Sequence, residues 1–200
     1  MEQINTKERI ILGIDPGTAV MGYGLVKETG SKIELISLGI IKMGAIDDHM
    51  LKLQRIFEKT VNLIDNYHPD CLAIEAPFYG KNIQVMLKLG RAQGVCMAAA
   101  LSRNVEITEY APRKIKQAIT GNGNATKEQV AAMLQNLLKF TETPEFLDAT
   151  DGLAVAVCHS FQKISTKSGK NGSKKTYSGW ETFVNDNKGR VSGIAKAKKL

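Results

Sequence analysis

Four carboxylates of this chain border apolar segments that a fold could bring together. Asp15 and Glu75 each follow a short apolar run, as at the end of a buried strand. Asp148 and Asp151 precede another apolar run and are three residues apart, so they share one face of a helix. A carboxylate at the end of a buried strand is costly unless it is paired or bound to a cation. Carboxylates in this number suit Mg²⁺ or Mn²⁺, and a pair of such ions suits phosphodiester hydrolysis.

Each carboxylate also has an ordinary structural interpretation. An aspartate before Pro-Gly, such as Asp15, satisfies the backbone donors of a turn, and a glutamate such as Glu75 can simply end a strand. Asp148 suits a helix N-cap, and Asp151 suits the first turn, where negative charge is favourable. The nearest imidazole, His159, is eight residues past Asp151. That separation is about 12 Å along a helix, so we interpret His159 as a packed or rim histidine rather than a shared ligand.

The elements that must position these residues alternate between the periods of strands and helices. The predicted strands are 10–15, 20–26, 32–41, 71–75 and 105–110, and the predicted helices are 48–67, 82–103, 112–119, 126–138 and 148–161. This order predicts an α/β fold with a mixed sheet that starts antiparallel. If the first and fourth strands are adjacent and parallel, Asp15 and Glu75 meet at one edge of the sheet.

The glycines of the first hairpin need a separate explanation. Gly13, Gly17, Gly22 and Gly24 do not form the G-x-G-x-x-G pattern of dinucleotide-binding folds. Pro and Gly at 16–17 instead suit a tight turn between two antiparallel strands.

The basic residues are concentrated at the end of the chain. Residues 161–200 contain ten Lys/Arg and two Asp/Glu, a net charge of +8 against +7 for the whole chain. We therefore predict one folded domain, residues 1–162, and a basic, disordered tail, residues 163–200. Such a tail is either a solvated segment or a phosphate-binding arm, for which Tyr177 and Trp180 offer stacking faces.

Cysteines and hydropathy favour a cytoplasmic protein. Cys71, Cys96 and Cys158 lie in apolar segments without metal-type spacing, which indicates reduced, packed thiols. The longest uncharged stretch in the apolar middle, 92–102, is too short to span a bilayer. No apolar segment precedes the first strand, so we predict neither a secretory signal nor a membrane partner.

Five motifs occur in the order of a known family. They are "ILGIDPGTAVMGYGLV", "AIEAPFYGKN", "LKLGRAQG", "EYAPRKIKQAITGNGNATKEQV" and "DATDGLAVAVCH", and together they span roughly residues 9–160. The ordered set resembles the RuvC-type Holliday-junction resolvases, or crossover-junction endodeoxyribonucleases. The resemblance implies a single-domain RNase H-like fold, with a mixed five-stranded sheet and helices on both faces. It also implies a homodimer that cuts four-way DNA junctions symmetrically in recombination and repair, leaving 5′-phosphate and 3′-hydroxyl ends.

The resemblance also implies roles for individual residues. The four carboxylates correspond to the catalytic metal ligands, with two Mg²⁺ per subunit expected and Mn²⁺ as a substitute. Phe78 resembles the aromatic residue that stacks on bases near the crossover. Lys116 and Lys127 match lysines that hold DNA phosphates near the active site, although each also suits a solvated helix position. Contact with the RuvAB branch-migration complex is implied by the resemblance alone.

The chain departs from the family pattern at three places. Ala76 and Pro77 replace the usual glutamine and apolar residue after the glutamate, so the loop that carries Phe78 is expected to differ in shape. Gly152 stands where alanine is common, for which we expect a small cost in helix stability. The segment after about Ser160 has no family counterpart in this comparison of motifs.

Small residues recur every fourth position on the long second helix. Met86, Gly90, Gly94 and Ala98 line one face, which can pack either on the chain's own sheet or against a second subunit. A two-fold dimer suits a junction that presents two equivalent strands.

Three other functions are compatible with parts of the sequence. "GIDPGT" also resembles the first phosphate loop of sugar kinases and actin-like ATPases, but those enzymes need two lobes. A scaffold that binds junctions without cutting would not need four carboxylates. A nuclease for other branched DNA or RNA would use the same residues.

Overall fold

Five strands form one mixed sheet in which the first strand is central. The structure is a computed structural model that describes residues 8–77, 82–140 and 147–168, with side chains described up to residue 162. The strands are β1 (Glu8–Asp15), β2 (Val20–Thr29), β3 (Lys32–Lys42), β4 (Cys71–Glu75) and β5 (Glu106–Tyr110), and the helices are α1 (His49–Tyr67), α2 (Ile83–Leu101), α3 (Pro112–Thr120), α4 (Lys127–Leu138) and α5 (Leu147–Ser168). The order in the sheet is β3-β2-β1-β4-β5.

The pairing of β1 with β4 places two of the predicted carboxylates at one edge. These strands are adjacent and parallel, with Ile14 opposite Ile74. Asp15 and Glu75 are the next residues on each strand, so both lie at the same edge of the sheet. The first and fourth strands are thus adjacent and parallel, which is the condition under which the sequence predicts that Asp15 and Glu75 meet.

Alternating side chains divide the core between the two faces of the sheet. Ile11 packs with residues of α3, α4 and α5 on one face. Leu12 and Ile14 pack with residues of α1 and α2 on the other face. The prediction of helices on both faces is confirmed.

Glycines let α5 approach the sheet at backbone distance. A Cβ at Gly22 would lie 1.7 Å from the carbonyl oxygen of Asp148. A Cβ at Gly24 would lie 2.4 Å from the Cα of Leu153. Any side chain at these positions of the hairpin would push α5 away, which explains the glycines that fit no nucleotide motif.

Gly152 belongs to the same close contact. A Cβ there would lie 2.6 Å from backbone atoms of Gly22 and of Tyr23. The small helix cost expected for Gly152 is therefore accompanied by a packing requirement, because an alanine would collide with the strand.

The observed ends of the helices correct two predictions. Helix α5 begins at Leu147, so Asp148 lies in its first turn and the N-cap interpretation of Asp148 is wrong. The same helix runs past the predicted end at 161 to Ser168. The capping box that begins α4 is present, with Thr126 and Gln129 as its two members.

The stripe of Gly90, Gly94 and Ala98 on α2 faces away from the sheet. The buried face of this helix contains Ala92, Cys96 and Ala99. A Cβ at Gly90 or at Gly94 would meet no atom within 4 Å. Packing of this stripe on the chain's own sheet is therefore excluded among the described residues.

The three cysteines lie in the core of the protein. Cys71, Cys96 and Cys158 are buried and form no disulfide with one another. No helix within the described ranges is both long and apolar enough to cross a membrane. Of the predicted tail, residues 163–200, residues 163–168 continue helix α5 and are not disordered. The rest of the tail, from residue 169 onwards, lies outside the described residues, and its disorder stays a prediction.

Candidate metal centre

Three of the predicted carboxylates share one small volume. Asp15 at the end of β1 and Asp148 and Asp151 in α5 each offer an oxygen, and these oxygens lie within 4.8 Å of one another. Glu75 lies beside this cluster and lines the same cavity of about 80 Å³ as Asp15 and Asp151. The structure thus brings together all four predicted carboxylates, three of them at ligand distance.

Burial and mutual repulsion raise the proton affinity of the cluster. Burial, followed by the charge of Asp151, raises the pKa of Asp15 from 3.8 to about 7. Burial, followed by the charge of Asp15, raises the pKa of Glu75 from 4.5 to about 8. Burial also raises the pKa of Asp151. The site therefore favours a positive charge, whether a proton or a cation.

Lys127 supplies such a charge from the first residue of α4. Its Nζ lies 2.5 Å from Oδ2 of Asp151 and 3.4 Å from Oδ1 of Asp148. Burial lowers the pKa of Lys127, but the hydrogen bond to Asp151 and the surrounding carboxylates outweigh it, so the pKa is raised. Sequence analysis placed Lys127 near the site but did not foresee these ion pairs.

The donor set fits a hard divalent cation. Among the described residues, only carboxylates contribute to this cluster, and neither histidine nor cysteine joins it. Mg²⁺ and Mn²⁺ prefer oxygen ligands, whereas zinc prefers nitrogen and sulfur. Asp15, Asp148 and Asp151 would hold such an ion.

A second lysine faces the same cavity from α3. Lys116 lines it together with Lys127 and the carboxylates. Its positive charge lowers the pKa of Glu75, although burial and neighbouring carboxylates dominate that pKa. Both predicted lysines are therefore at the site, whereas Phe78 lies outside the described residues.

Gln93 supports the strand end at Glu75 and was missed in the sequence. This buried side chain on α2 donates from Nε2 to Oε2 of Glu109 at 2.8 Å and to the carbonyl oxygen of Glu75 at 3.4 Å. The amide of Ala76 also donates to the carbonyl oxygen of Tyr110 at 2.9 Å. Gln93 lies within the motif "LKLGRAQG", but nothing in the neighbouring sequence indicates that this glutamine supports a strand end.

His159 is a packed residue, as predicted. It is 4% exposed. Its Nδ1 lies 2.9 Å from the hydroxyl of Tyr110 and its Nε2 lies 3.4 Å from Sγ of Cys71.

Comparison with known proteins identifies the family. The sequence model of the family "Crossover junction endodeoxyribonuclease RuvC" matches residues 11–159. This chain belongs to the RuvC family. A RuvC of Christiangramia forsetii is 59% identical over 184 residues, covering 92% of this chain and 93% of that relative. A structure of T. thermophilus RuvC in complex with Holliday junction substrate has a TM-score of 0.74 and 30% identity, covering 79% of this chain and 96% of that one.

Membership of the RuvC family decides two points left open by the sequence. The RNase H-like fold is confirmed. Membership of the RuvC family replaces the alternative that the chain is a sugar kinase or an actin-like ATPase. A RuvC of Cytophaga hutchinsonii is 55% identical over 195 residues, covering 97% of this chain and 94% of that relative. The match to this relative therefore extends into the segment after Ser160, whereas the family model itself ends at residue 159.

The raised pKa values predict how the stability of this RuvC family member depends on pH without metal. The folded state keeps Asp15 protonated up to about pH 7 and Glu75 up to about pH 8. In the unfolded chain these groups lose their protons near their ordinary pKa values of 3.8 and 4.5. Between the ordinary and the raised pKa values, the folded state therefore binds more protons than the unfolded chain. Stability contributed by these groups is present at low pH and is lost as pH rises through the raised values. In EDTA, we expect this contribution to the Tm to fall from about pH 4 to about pH 8 and then to level off, and Mn²⁺ to restore it at the upper end.

The double variant Asp15→Asn/Glu75→Gln is the control for this titration. Its Tm in EDTA should vary less with pH, and Mn²⁺ should stabilise it less. Identical profiles for the two proteins would contradict the assignment of the pH dependence to these carboxyls.

Proposed function

We propose that this chain resolves four-way DNA junctions by metal-dependent hydrolysis of phosphodiester bonds. The observation that carries the proposal is the cluster of three carboxylates within 4.8 Å, beside Glu75 and two lysines, in a member of the RuvC family. Cuts at two symmetric positions would leave 5′-phosphate and 3′-hydroxyl ends.

In this proposal Asp15, Glu75, Asp148 and Asp151 hold two Mg²⁺ per subunit, for which Mn²⁺ can substitute. When bound, such an ion pair supplies an activated water and stabilises the in-line transition state. The role of the carboxylates is to hold the ions at a rigid edge, since two come from strand ends and two from a helix packed on the same strands. Lys127 neutralises Asp148 and Asp151 and is placed to meet a DNA phosphate at this cluster.

Lys116 contributes to the reaction more than to affinity. It faces the cavity of the carboxylates, so its charge acts on the phosphate that reacts. We expect Lys116→Ala to slow cleavage of bound junction by about 10- to 100-fold and to raise the Kd by only a few fold. Single-turnover rates measured with saturating enzyme separate the two effects. The exposed Lys32→Ala is the matched control, and an unchanged rate for Lys116→Ala would leave it a surface lysine.

Phe78 is proposed to stack on a base near the crossover. This role rests on the position of Phe78 three residues after Glu75 in the family motif. Contact with the RuvAB complex is likewise a proposal that rests on the family.

The outward face of α2 is proposed as the contact of a homodimer. Ile83, Leu87 and Leu101 are 70%, 50% and 64% exposed. They continue the row of Gly94 and Ala98 at helical spacing, which makes an uncovered apolar stripe. Such a stripe is expected to be covered by another surface, and a symmetric dimer covers it with its own copy.

A charge in this stripe should separate the subunits. We expect Ala98→Glu to raise the dimer dissociation constant at least about tenfold, because two like charges meet across a two-fold axis. Analytical ultracentrifugation measures this, with Gln54→Glu on α1 as the control. A monomeric wild-type chain, or an unchanged dimer in the variant, would contradict the contact.

Cleavage of a labelled four-way junction beside a linear duplex of the same sequence tests the function. Paired nicks in the junction alone, with Mg²⁺ and not with EDTA, are the expected result. Binding without nicks would favour a scaffold, and equal cutting of both substrates would indicate a general nuclease.

A further inference from the structure

A basic groove lies on the face of the sheet that α1 and α2 cover, outside the metal centre. Its volume is about 570 Å³, and its lining includes Lys42, Arg55, Lys59, Asn62 and Asn66. None of the described residues that line it is acidic. The groove therefore presents cationic and amide donors.

The two cations of α1 that line the groove have no acidic partner within the described part of the chain. Arg55 and Lys59 are exposed, lie four residues apart on one side of the helix and take part in none of the ion pairs there. Like charges at this spacing repel. This repulsion favours the binding of an external anion near Arg55 and Lys59.

The nearby carboxylates of α1 are engaged elsewhere. Glu58 accepts a hydrogen bond from Gln54 at 2.8 Å. Asp65 pairs with Arg103, whose Nε lies 2.7 Å from Oδ1. Neither carboxylate lines the groove.

The groove starts at the edge of the sheet that carries the metal centre. Lys42 pairs with Val20, and Gly22, two residues further along β2, pairs with Asp15. Lys42 lies on β3, two strands away from β1, which is roughly 10 Å across the sheet. It is therefore at the same end of the sheet as Asp15. From there the groove follows α1 from Arg55 to Tyr67, about 18 Å along the helix axis.

A groove of this length suits a row of phosphates better than a single ion. The charge of a DNA strand recurs about every 3.4 Å along the duplex axis, so several phosphates fit within it. Arginine, lysine, asparagine and tyrosine are residues that commonly bind the DNA backbone. Tyr23 and Tyr67 complete this set in the lining.

We propose that this groove binds the phosphate backbone of a junction arm at a distance from the scissile bond. The proposal rests on the proposed function, because it takes the arm to be part of the substrate held at the metal centre. The groove adds affinity and orientation and touches no reacting group. Its contribution is electrostatic, so it weakens as salt rises.

The test compares Arg55→Gln/Lys59→Gln with Lys27→Gln/Lys32→Gln. The second pair removes the same charge near the β2–β3 turn, at the other end of the same sheet. Junction affinity is measured by fluorescence anisotropy over a series of salt concentrations in EDTA, with long arms and with arms shortened by whole helical turns. We expect the groove variant to bind the long-armed junction about tenfold more weakly and its log–log salt slope to fall by about 2.

Shortening the arms should weaken the wild type and leave the groove variant nearly unchanged, since the contact is already lost. The charge reversal Arg55→Glu/Lys59→Glu should weaken binding further. Cleavage of prebound junction at saturation should stay within about twofold of wild type for the glutamine pair. Circular dichroism checks that each variant is folded.

The outcomes separate the two proposals. A groove variant that matches the control in affinity, salt slope and dependence on arm length would overturn the groove, while wild-type cleavage of the junction would still stand. A wild type that neither binds nor nicks the junction would instead overturn the proposed function.

Discussion

Asp15→Asn is expected to abolish junction cleavage while preserving or strengthening junction binding. The substitution keeps the shape of the side chain but removes one of the three carboxylates whose oxygens lie within 4.8 Å of one another. We expect a loss of at least about 1,000-fold in the cleavage rate, or about 4 kcal/mol of transition-state stabilisation. Binding persists because the loss of a negative charge reduces repulsion of the DNA phosphates.

The measurement is the single-turnover rate together with the Kd for one labelled junction. Asp47→Asn, at an exposed position before α1, is the matched control for the change in charge. A variant at Asp15 that still cleaves at the wild-type rate would remove Asp15 from the metal site. Equal losses of binding and of cleavage would indicate misfolding, which the Tm of the variant detects.

Gly22→Ala is expected to damage both stability and catalysis although no reacting group changes. The added Cβ would lie 1.7 Å from the carbonyl oxygen of Asp148, so the start of α5 must move away from β2. We expect the free energy of unfolding to fall by at least about 2 kcal/mol, because backbone atoms on both sides leave little room to relax. Displacing Asp148 and Asp151 by about 1 Å should slow cleavage by roughly 100-fold.

Chemical denaturation and single-turnover kinetics on the same preparation measure these two effects. Gly44→Ala is the control, since a Cβ there meets no atom within 4 Å. If Gly22→Ala and Gly44→Ala had the same stability and the same rate, α5 would not lie on the strand as the structure places it. A further variant, Gly152→Ala, approaches the same contact from the helix side and should share its effects.

The two predictions differ in how far the sequence supports them. Asp15 is conspicuous because a carboxylate ends an apolar strand, and that mismatch of residue and environment is visible locally. Gly22 is ambiguous, because a glycine in a strand suits a turn, a bulge or a close contact equally well. Only the position of α5 shows that a backbone carbonyl occupies the place of a side chain.

Lys127 illustrates a further limit. The capping box at Thr126 is a local pattern, so the start of α4 was predictable to the residue. The ion pairs of Lys127 with Asp148 and Asp151 join residues more than twenty positions apart. Their formation depends on how α4 and α5 pack, which no periodicity reports.

Local chemistry was therefore sufficient for the strands, the helices and the four carboxylates, since hydrophobic period, caps and strand-end charges are properties of neighbouring residues. Tertiary structure decided which of these carboxylates lie close enough to share a cation, because the adjacency of β1 and β4 and the packing of α5 on glycines of the sheet are non-local. It also decided that the small-residue face of α2 points outward and that Arg55 and Lys59 line a groove. The spacing of residues in the sequence shows which of them share one face of a helix or a strand. Only the packing of these elements shows what that face contacts.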